Sequence, residues 1–451
     1  MTSVAEHLPV AVLGSGMAAM GAAHAVREAG RMPVCFDAAD YAGGHTATFP
    51  AGNGFLFDDG PHLSFTKDER IAGLLAAAVD GHYRTVQAVI DNMWHGRRIR
   101  HPVQLNLHAL PPELVVAVLT DFVAETTSPP AEIRHYADWL VASYGRTFAE
   151  TFPMVYGRKY HTTEPENLTT EWLGPRMYRP DLREMLQGAL DAPREVTHYV
   201  THFRYPEEGG FGAYLAGLRR GLAVRLGHRL VGVDPVDRVL HFAGGVQVRT
   251  DAVISSIPLP ELVPLIDGVP DTVRDAAAAL SFSSAMVVNV GVDRADLSPA
   301  HITYYYDEDV LFPRLNFPHL LSPHVVPPGA GSIQAEVYHS DRYRPLAMTP
   351  EQTVERVVSD LRRCGVLRPE DQLLVAEARN IRYANVIWDH QRAAAVATVH
   401  GYLDEIGLVR CGRYGDWDHS WTDEAFLSGE RAGRDVLAGV RLGTPAGAVA
   451  R

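Results

Sequence analysis

The stretch Val10-Ala-Val-Leu-Gly-Ser-Gly-Met-Ala-Ala-Met-Gly21 decides the fold. A short apolar run ends in Gly14-x-Gly16-x-x-Ala19, and an alanine-rich helical stretch continues to Gly30. A second apolar run, Pro33-Val-Cys-Phe-Asp37, closes on an acid. This is the β-turn-α-β grammar of a dinucleotide site. Gly14 permits the tight turn, Gly16 lets backbone amides approach a pyrophosphate, and small Ala19 lets helix and strand pack closely. Asp37 stands where a carboxylate accepts from a ribose hydroxyl. Gly14, Ser15, Gly16, Met17, Ala18, Asp37 and Ala38 are therefore expected to hold the nucleotide.

A chain of 451 residues is too long for one compact core, so two or more lobes are expected. Its 46% hydrophobic and 21% charged content is ordinary for a soluble globular protein. A net charge of -13 argues against nucleic acid or an anionic membrane surface as the main partner. No basic, apolar leader opens the chain and no apolar run approaches bilayer-spanning length, so a cytoplasmic location and no membrane span are expected. Cys35, Cys364 and Cys411 are far apart and form no CxxC, which suggests neither a disulfide framework nor a metal site. Among 41 basic residues only Lys67 and Lys159 are lysine, so any chemistry that needs a lysine has two candidates.

Beyond the first unit, residues 69–200 read as largely helical. Pro112-Glu-Leu-Val-Val-Ala-Val-Leu and Ile133-Arg-His-Tyr-Ala-Asp-Trp-Leu-Val-Ala carry apolar residues at three- and four-residue spacing. Short strands return at 222–257: Leu230–Asp234, a hairpin-like Phe242-Ala-Gly-Gly-Val246, and a buried strand from Asp251 that ends at Pro258. Ala285–Val292 and the alternation around Ile333-Gln-Ala-Glu-Val337 predict a β-rich lobe. Thr349-Pro-Glu-Gln352 is a capping box with proline at the first helical position. A strand, a glycine loop and a closing helix finish the ordered chain at about 407–440. The nucleotide unit is thus interrupted twice and resumes at the C-terminal end, unlike a simple nicotinamide dehydrogenase.

With these residues in place, the chain resembles the FAD-dependent amine oxidase, protoporphyrinogen oxidase and UDP-galactopyranose mutase superfamily. Five motifs in order carry the resemblance. Ala42-Gly-Gly-His45 follows the fingerprint and resembles the turn that approaches the FAD phosphates. Phe57-Asp-Asp-Gly-Pro-His62 resembles the D-x-GPH segment beside the flavin ring, in a mutase-like form. Tyr160-His-Thr-Thr-Glu-Pro-Glu-Asn-Leu-Thr-Thr-Glu-Trp172 is similar to a stretch of the helical lobe, and Tyr205-Pro-Glu-Glu-Gly-Gly-Phe211 to the P-x-GG turn before the second FAD segment. Gly412-Arg-Tyr-Gly-Asp-Trp417, with Thr422-Asp-Glu-Ala425, resembles the closing flavin motif.

The resemblance implies an α/β fold: a discontinuous Rossmann-like FAD-binding domain of glutathione-reductase type, with a helical cap and an antiparallel β-rich substrate domain. The expected boundaries are 1–70, 201–275 and 405–440 for the FAD lobe, 71–200 for the cap, 276–404 for the substrate lobe, and 441–451 for a flexible tail. FAD is the implied cofactor, with Gly44, His45, Gly60, Pro61, His62, Leu230, Gly412, Arg413, Thr422 and Ala425 added to its contacts. The helix opening near Thr422 would aim free amides and a positive dipole end at the flavin. His62 is a candidate acid or base, titrating near neutral pH. Trp421 matches the second wall of an aromatic cage, with Trp417 on the approach. Arg413 matches a diphosphate-holding arginine of the mutases, and Arg176, Arg179 and Arg314 are further candidates for an anionic substrate. Met286 stands near the start of a strand where many amine oxidases carry a lysine, which makes an ordinary amine oxidase less expected. Cys411 is read as a buried structural thiol. The first expected activity is oxidation of a small organic substrate at a C–H next to nitrogen or oxygen, with hydride passing to flavin N5. The alternatives are a redox-neutral sugar-nucleotide isomerase using reduced N5 as nucleophile, and a non-catalytic nucleotide-binding protein. The oligomeric state is left open.

Overall fold

Glu6–Leu13 is exposed where it begins and fully buried where it approaches the glycine turn, and it forms the centre of the first sheet. The computed structural model describes residues 6–127, 132–174, 177–191 and 200–443. Val34–Phe36 lies parallel to Glu6–Leu13 on one side, and Gln247–Ser255 lies parallel on the other. Ala223–Arg225 extends the sheet beyond Val34–Phe36, and Leu408–Arg410 pairs with the end of Gln247–Ser255, both in parallel. The antiparallel hairpin Leu230–Asp234 and Val239–Phe242 covers the remaining edge. One sheet is therefore assembled from three separated parts of the chain, which is the discontinuous Rossmann-like arrangement.

The helix Met17–Glu28 starts immediately after Gly16, and the closing helix Thr422–Leu437 packs against it. Small residues set their separation. A Cβ on Gly429 would stand 1.9 Å from the Ala18 carbonyl oxygen, so the two backbones touch.

The second sheet has seven strands, in the order Leu373–Val386, Phe282–Val292, Gly331–His339, Arg314–Asn316, Ile302–Tyr305, Ile90–Trp94 and Arg97–Arg100. All pairs are antiparallel except Ile302–Tyr305 with Ile90–Trp94. Two of its strands come from the stretch expected to be helical. Tyr83–Gln87 is a third strand there, pairing with His202–Pro206. The helical expectation fails at 83–100 because His95 and Gly96 both take positive φ, 47° and 73°, and close a two-residue turn between strands. Helices do follow at Pro112–Thr127, Tyr136–Tyr144, Arg146–Thr151, Pro153–His161 and Leu182–Leu190. The second of these begins at Tyr136 rather than Ile133 because His135 caps it, accepting from the Asp138 N–H at 3.2 Å. Pro350–Arg363 carries the expected capping box.

Of the expected flexible tail, residues 444–451 lie outside the described residues, but Arg441–Gly443 are fixed. Leu442 is fully buried and its N–H donates to Asp251 O at 3.1 Å. Among the described residues no helix is long and apolar enough to cross a membrane.

Candidate active site

A cavity of about 630 Å³ runs from the Gly14 turn to the inward face of the second sheet. At the first end, Gly14 takes φ +120°, and a Cβ there would lie 2.1 Å from Ser256 Oγ. Asp37 is held by the Ser15 hydroxyl at 2.5 Å and the Ala39 N–H at 2.9 Å. Ser15 Oγ in turn accepts from the Gly43 N–H at 3.2 Å, which ties the fingerprint to the Gly43-Gly44 turn. Met17, Ala18, Ala38, Gly44 and Leu230 line this end, where Phe36 and Phe242 stack at 4.7 Å. The Thr422–Leu437 helix also starts at the cavity wall, with Thr422 and Ala425 facing in. The neighbouring Gly412 N–H donates to Ser428 Oγ at 2.9 Å. Small residues, two helix N-termini and one acid form a cradle that fits a flavin dinucleotide.

The Gly60-Pro-His62 loop forms the next part of the wall. Behind it Asp58 is buried, taking bonds from Thr48 Oγ1 at 2.6 Å, Tyr205 Oη at 2.6 Å and the Phe211 N–H at 2.9 Å. Burial pushes its carboxyl up to about 6 despite those donors. Asp59 also lines the cavity and behaves oppositely. Burial would raise it, but His45 and Arg379 beside it hold it below the usual carboxylate range. His62 departs from the expectation of a near-neutral titration. Burial pushes it down to about 4, against the Gly60 hydrogen bond, so it is neutral at pH 7. Its Nδ1 lies 2.8 Å from Gly60 O. A carbonyl can only accept, so the proton belongs on Nδ1 and Nε2 is left as an acceptor.

The second sheet supplies the opposite wall. Its register puts Val287, Glu336, Arg314 and Tyr304 in one cross-strand row, with Ala285 opposite Tyr338 and Asn316 opposite Ile302 in the flanking rows. Arg314 bonds Glu336 through Nε and through Nη2, the latter at 2.7 Å, and Nη2 also reaches Tyr338 Oη at 3.3 Å. Glu336 further accepts from Tyr338 at 2.5 Å and Asn316 at 3.1 Å. Burial opposes its charge, but Arg314, Tyr338 and Asn316 keep it below the ordinary carboxylate range. Tyr160 packs on Tyr338 at 4.8 Å and donates to Asn385 Oδ1 at 3.1 Å. Arg413 Nη1 donates to the same oxygen at 3.4 Å, and its other bonds go to the carbonyls of Ser420 and Ala384. Among the described residues no carboxylate pairs with Arg413, which therefore brings a net positive charge to the cavity wall.

The structure brings Trp421 to the cavity, edge-on to Phe65 at 5.0 Å. Trp417 does not reach it. Its ring is fully buried against Tyr414 and Phe282, because a left-handed φ of 52° turns the chain inward there. Met286 also faces away. Strand alternation points Ala285 and Val287 into the cavity and buries Met286 in the core behind. Lys159 lies outside the lining, donating to the carbonyls of Tyr305, Asp307 and Phe312, and Lys67 is exposed. Arg179 reaches toward Trp139 instead, and Arg176 lies outside the described residues. Cys411 is fully buried, away from the lining, and burial raises its thiol. Sequence reasoning missed Asp59, Tyr304, Asn316, Glu336, Tyr338 and Asn385. The available signal was the pair Gln334 and Glu336, polar side chains alternating with Ile333, Ala335 and Val337 in a buried strand. Among the described residues no group of side chains could hold a metal ion.

Comparison with curated proteins finds no match. Among solved structures, reduced UDP-galactopyranose mutase is similar at a TM-score of 0.90 and 22% identity, with 95% of this chain and 94% of that one covered. A protein described as a protoporphyrinogen oxidase from Exiguobacterium sp. 255-15 is similar at a TM-score of 0.74 and 16% identity, covering 96% and 99%. A putrescine oxidase variant gives a TM-score of 0.65 at 15% identity, covering 96% and 100%. The pattern of the flavin containing amine oxidoreductase family matches residues 15–437. The fingerprint from Ser15 onward, the second glycine turn and the closing helix of one cavity all fall within that span, and the chain belongs to the family of flavin-containing amine oxidoreductases, with FAD as its cofactor.

Proposed function

We propose that this chain is a FAD-dependent oxidoreductase acting on a hydroxyl-bearing substrate at a carbon next to oxygen. The observation that carries this is the wall of Tyr160, Asn385, Tyr338 and Asn316. Its hydroxyls and amides suit polar neutral groups, and its one carboxylate, Glu336, is cancelled by Arg314. A cationic amine would find no free negative charge on that wall, and neither lysine of the chain reaches the cavity. FAD supplies the redox chemistry when bound, taking a hydride when oxidised and offering N5 as a nucleophile when reduced. It would be held by Gly14, Ser15, Gly16, Asp37, Gly44, Gly412 and the two helix N-termini. The chain's own residues do the rest. Tyr160 and Asn385 orient a substrate hydroxyl, and His62 Nε2, unprotonated at pH 7, is the acceptor for the proton that leaves that hydroxyl on oxidation. The division into a FAD lobe, a cap and a substrate lobe at the expected boundaries belongs to this proposal. It is supported by the assembly of the first sheet from segments 6–36, 223–255 and 408–410.

A redox-neutral rearrangement of an anionic sugar derivative is the second reading. It is favoured by the positive charge of Arg413 on the wall and by the likeness to the mutase fold. Anaerobic addition of alcohols, sugars, sugar nucleotides and amines to the yellow holoprotein separates the readings. Bleaching by an alcohol or sugar supports the oxidoreductase. Turnover of a sugar nucleotide only after dithionite reduction, with no net electron transfer, replaces it with the second reading. Bleaching by amines alone overturns both.

A further inference from the structure

The cavity does not end at its polar wall. Past Tyr304, the row that contains Asn316 continues across the sheet to Ile302 and then to Ile90, its parallel neighbour. Phe203 and Val200 come up from the segment beside this sheet edge, and Leu63 and Phe65 extend the Gly60-Pro-His62 loop into the same corner. These six residues line the cavity and also belong to one contiguous apolar cluster. None has a polar side-chain atom, whereas the adjoining wall carries tyrosines, amides and an ion pair. The change from one to the other occurs within two strand positions, between Tyr304 and Ile302.

We infer that this corner is a subsite for an apolar portion of the substrate, so that the substrate is amphipathic, with its hydroxylated part at Tyr160 and Asn385 and an alkyl or aryl part against Ile90, Ile302 and Phe203. The inference rests on the hydroxyl-bearing substrate proposed above. Its physical basis is that a wall without hydrogen-bond partners desolvates a polar group at a cost, while each methylene entering it gains about fourfold in affinity. A fully hydroxylated ligand long enough to reach the corner would leave its hydroxyls unpaired there.

The test uses FAD-loaded full-length protein, with the flavin visible spectrum and tryptophan fluorescence as readouts of binding, Trp421 being on the wall. The probes are methyl, butyl and hexyl β-glucoside, below any micelle threshold, and hexylamine. Affinity should rise along the glucoside series, by about sixtyfold from methyl to hexyl when three of the added methylenes are buried and by more when all are. Ile302→Thr, which keeps a β-branched strand residue, should lose about tenfold for hexyl glucoside and leave methyl glucoside unchanged. The glucoside series on the unmodified protein stands as evidence by itself should the variant lose its flavin. Equal binding of methyl and hexyl glucoside overturns the subsite while leaving the hydroxyl-bearing substrate intact. Equally tight binding of hexylamine and hexyl glucoside, with none of methyl glucoside, supports the subsite and removes the hydroxyl reading instead.

Discussion

Arg314 and Glu336 show what a single buried pair costs and why the chain keeps it. Both are enclosed, with 22% and 4% side-chain exposure, so each depends on the other for compensation of its charge. Removing one partner of such a pair costs about 3–5 kcal/mol, whereas replacing both with apolar residues can be nearly neutral. Arg314→Met and Glu336→Leu should each lower the urea midpoint strongly, and the double variant should recover most of the loss. A double variant as unstable as the sum of the singles would show that the pair is not the stabilising unit. The double variant should nonetheless bind the proposed hydroxylated substrate poorly, since Tyr338 and Asn316 both hydrogen-bond to Glu336. Legibility from sequence divides sharply at this scale. Gly14, Ser15 and Asp37 lie within one local β-turn-α-β unit, so their spacing alone brings them together. Glu336 acquires its meaning only through pairing with Arg314 across two strands, and one register position separates Met286, buried in the core, from the inward-facing Ala285 and Val287.

At the scale of elements, the most informative contact is between the helices Met17–Glu28 and Thr422–Leu437, which are about 400 residues apart in sequence and adjacent in space. The position of both helix N-termini at the cavity depends on how closely their backbones approach. Gly429→Ala would force a Cβ to 1.9 Å from the Ala18 carbonyl oxygen, a backbone atom in the turn of helix that follows the fingerprint. Overpacking of this kind should cost about 3 kcal/mol and weaken FAD retention, measured by the melting temperature and by flavin released on dilution. Gly73→Ala is the matched control. It lies inside the helix Glu69–Ala78, where an added Cβ meets nothing within 4 Å. Helix propensity should make that variant more stable by up to about 1 kcal/mol, with flavin retention unchanged. Loss of flavin from both variants would mean that flavin retention does not report on this contact. Capping chemistry and helical periodicity made several helices readable in advance, including Pro350–Arg363. The strands at 83–100 were not readable in that way, because their partners lie at 202–206 and 302–305 and the His95-Gly96 turn is short.

For the whole molecule, the buried histidines should decide how the fold responds to acid. His62 is on the cavity loop, His161 ends the helix Pro153–His161, and His400 sits in the helix Arg392–Glu405, so they sample three separate regions. Burial depresses each to about 4, and nearby Arg410 adds to the effect at His400. The ordinary value in an unfolded chain is about 6.5. A base whose folded value is depressed stabilises the native state above the unfolded value, and this contribution is lost as pH falls toward the folded value. The window is therefore from about pH 6.5 down to about 4. Asp58 has the opposite sign, because its carboxyl is raised to about 6. Its contribution is fully present below about 4 and disappears as pH rises through 6, so it offsets part of the histidine effect in the overlapping range. Burial also lowers His301, His319 and His339 and raises Asp416 and Asp435, so depressed histidines outnumber raised carboxyls, and the urea midpoint should fall steadily between about pH 6.5 and 4.5. His161→Phe isolates one of these terms. The ring sits edge-on to Tyr160 at 5.0 Å and against Trp172 at 4.9 Å, so phenylalanine preserves the aromatic packing while removing the titrating nitrogen. Each proton taken up only on unfolding contributes about 1.4 kcal/mol per pH unit to the slope of stability against pH. The variant should therefore be less sensitive to pH by up to that amount across the window. An unchanged slope would mean that His161 is no more protonated in the unfolded chain than in the native one, and acid lability would then have to originate elsewhere in the molecule.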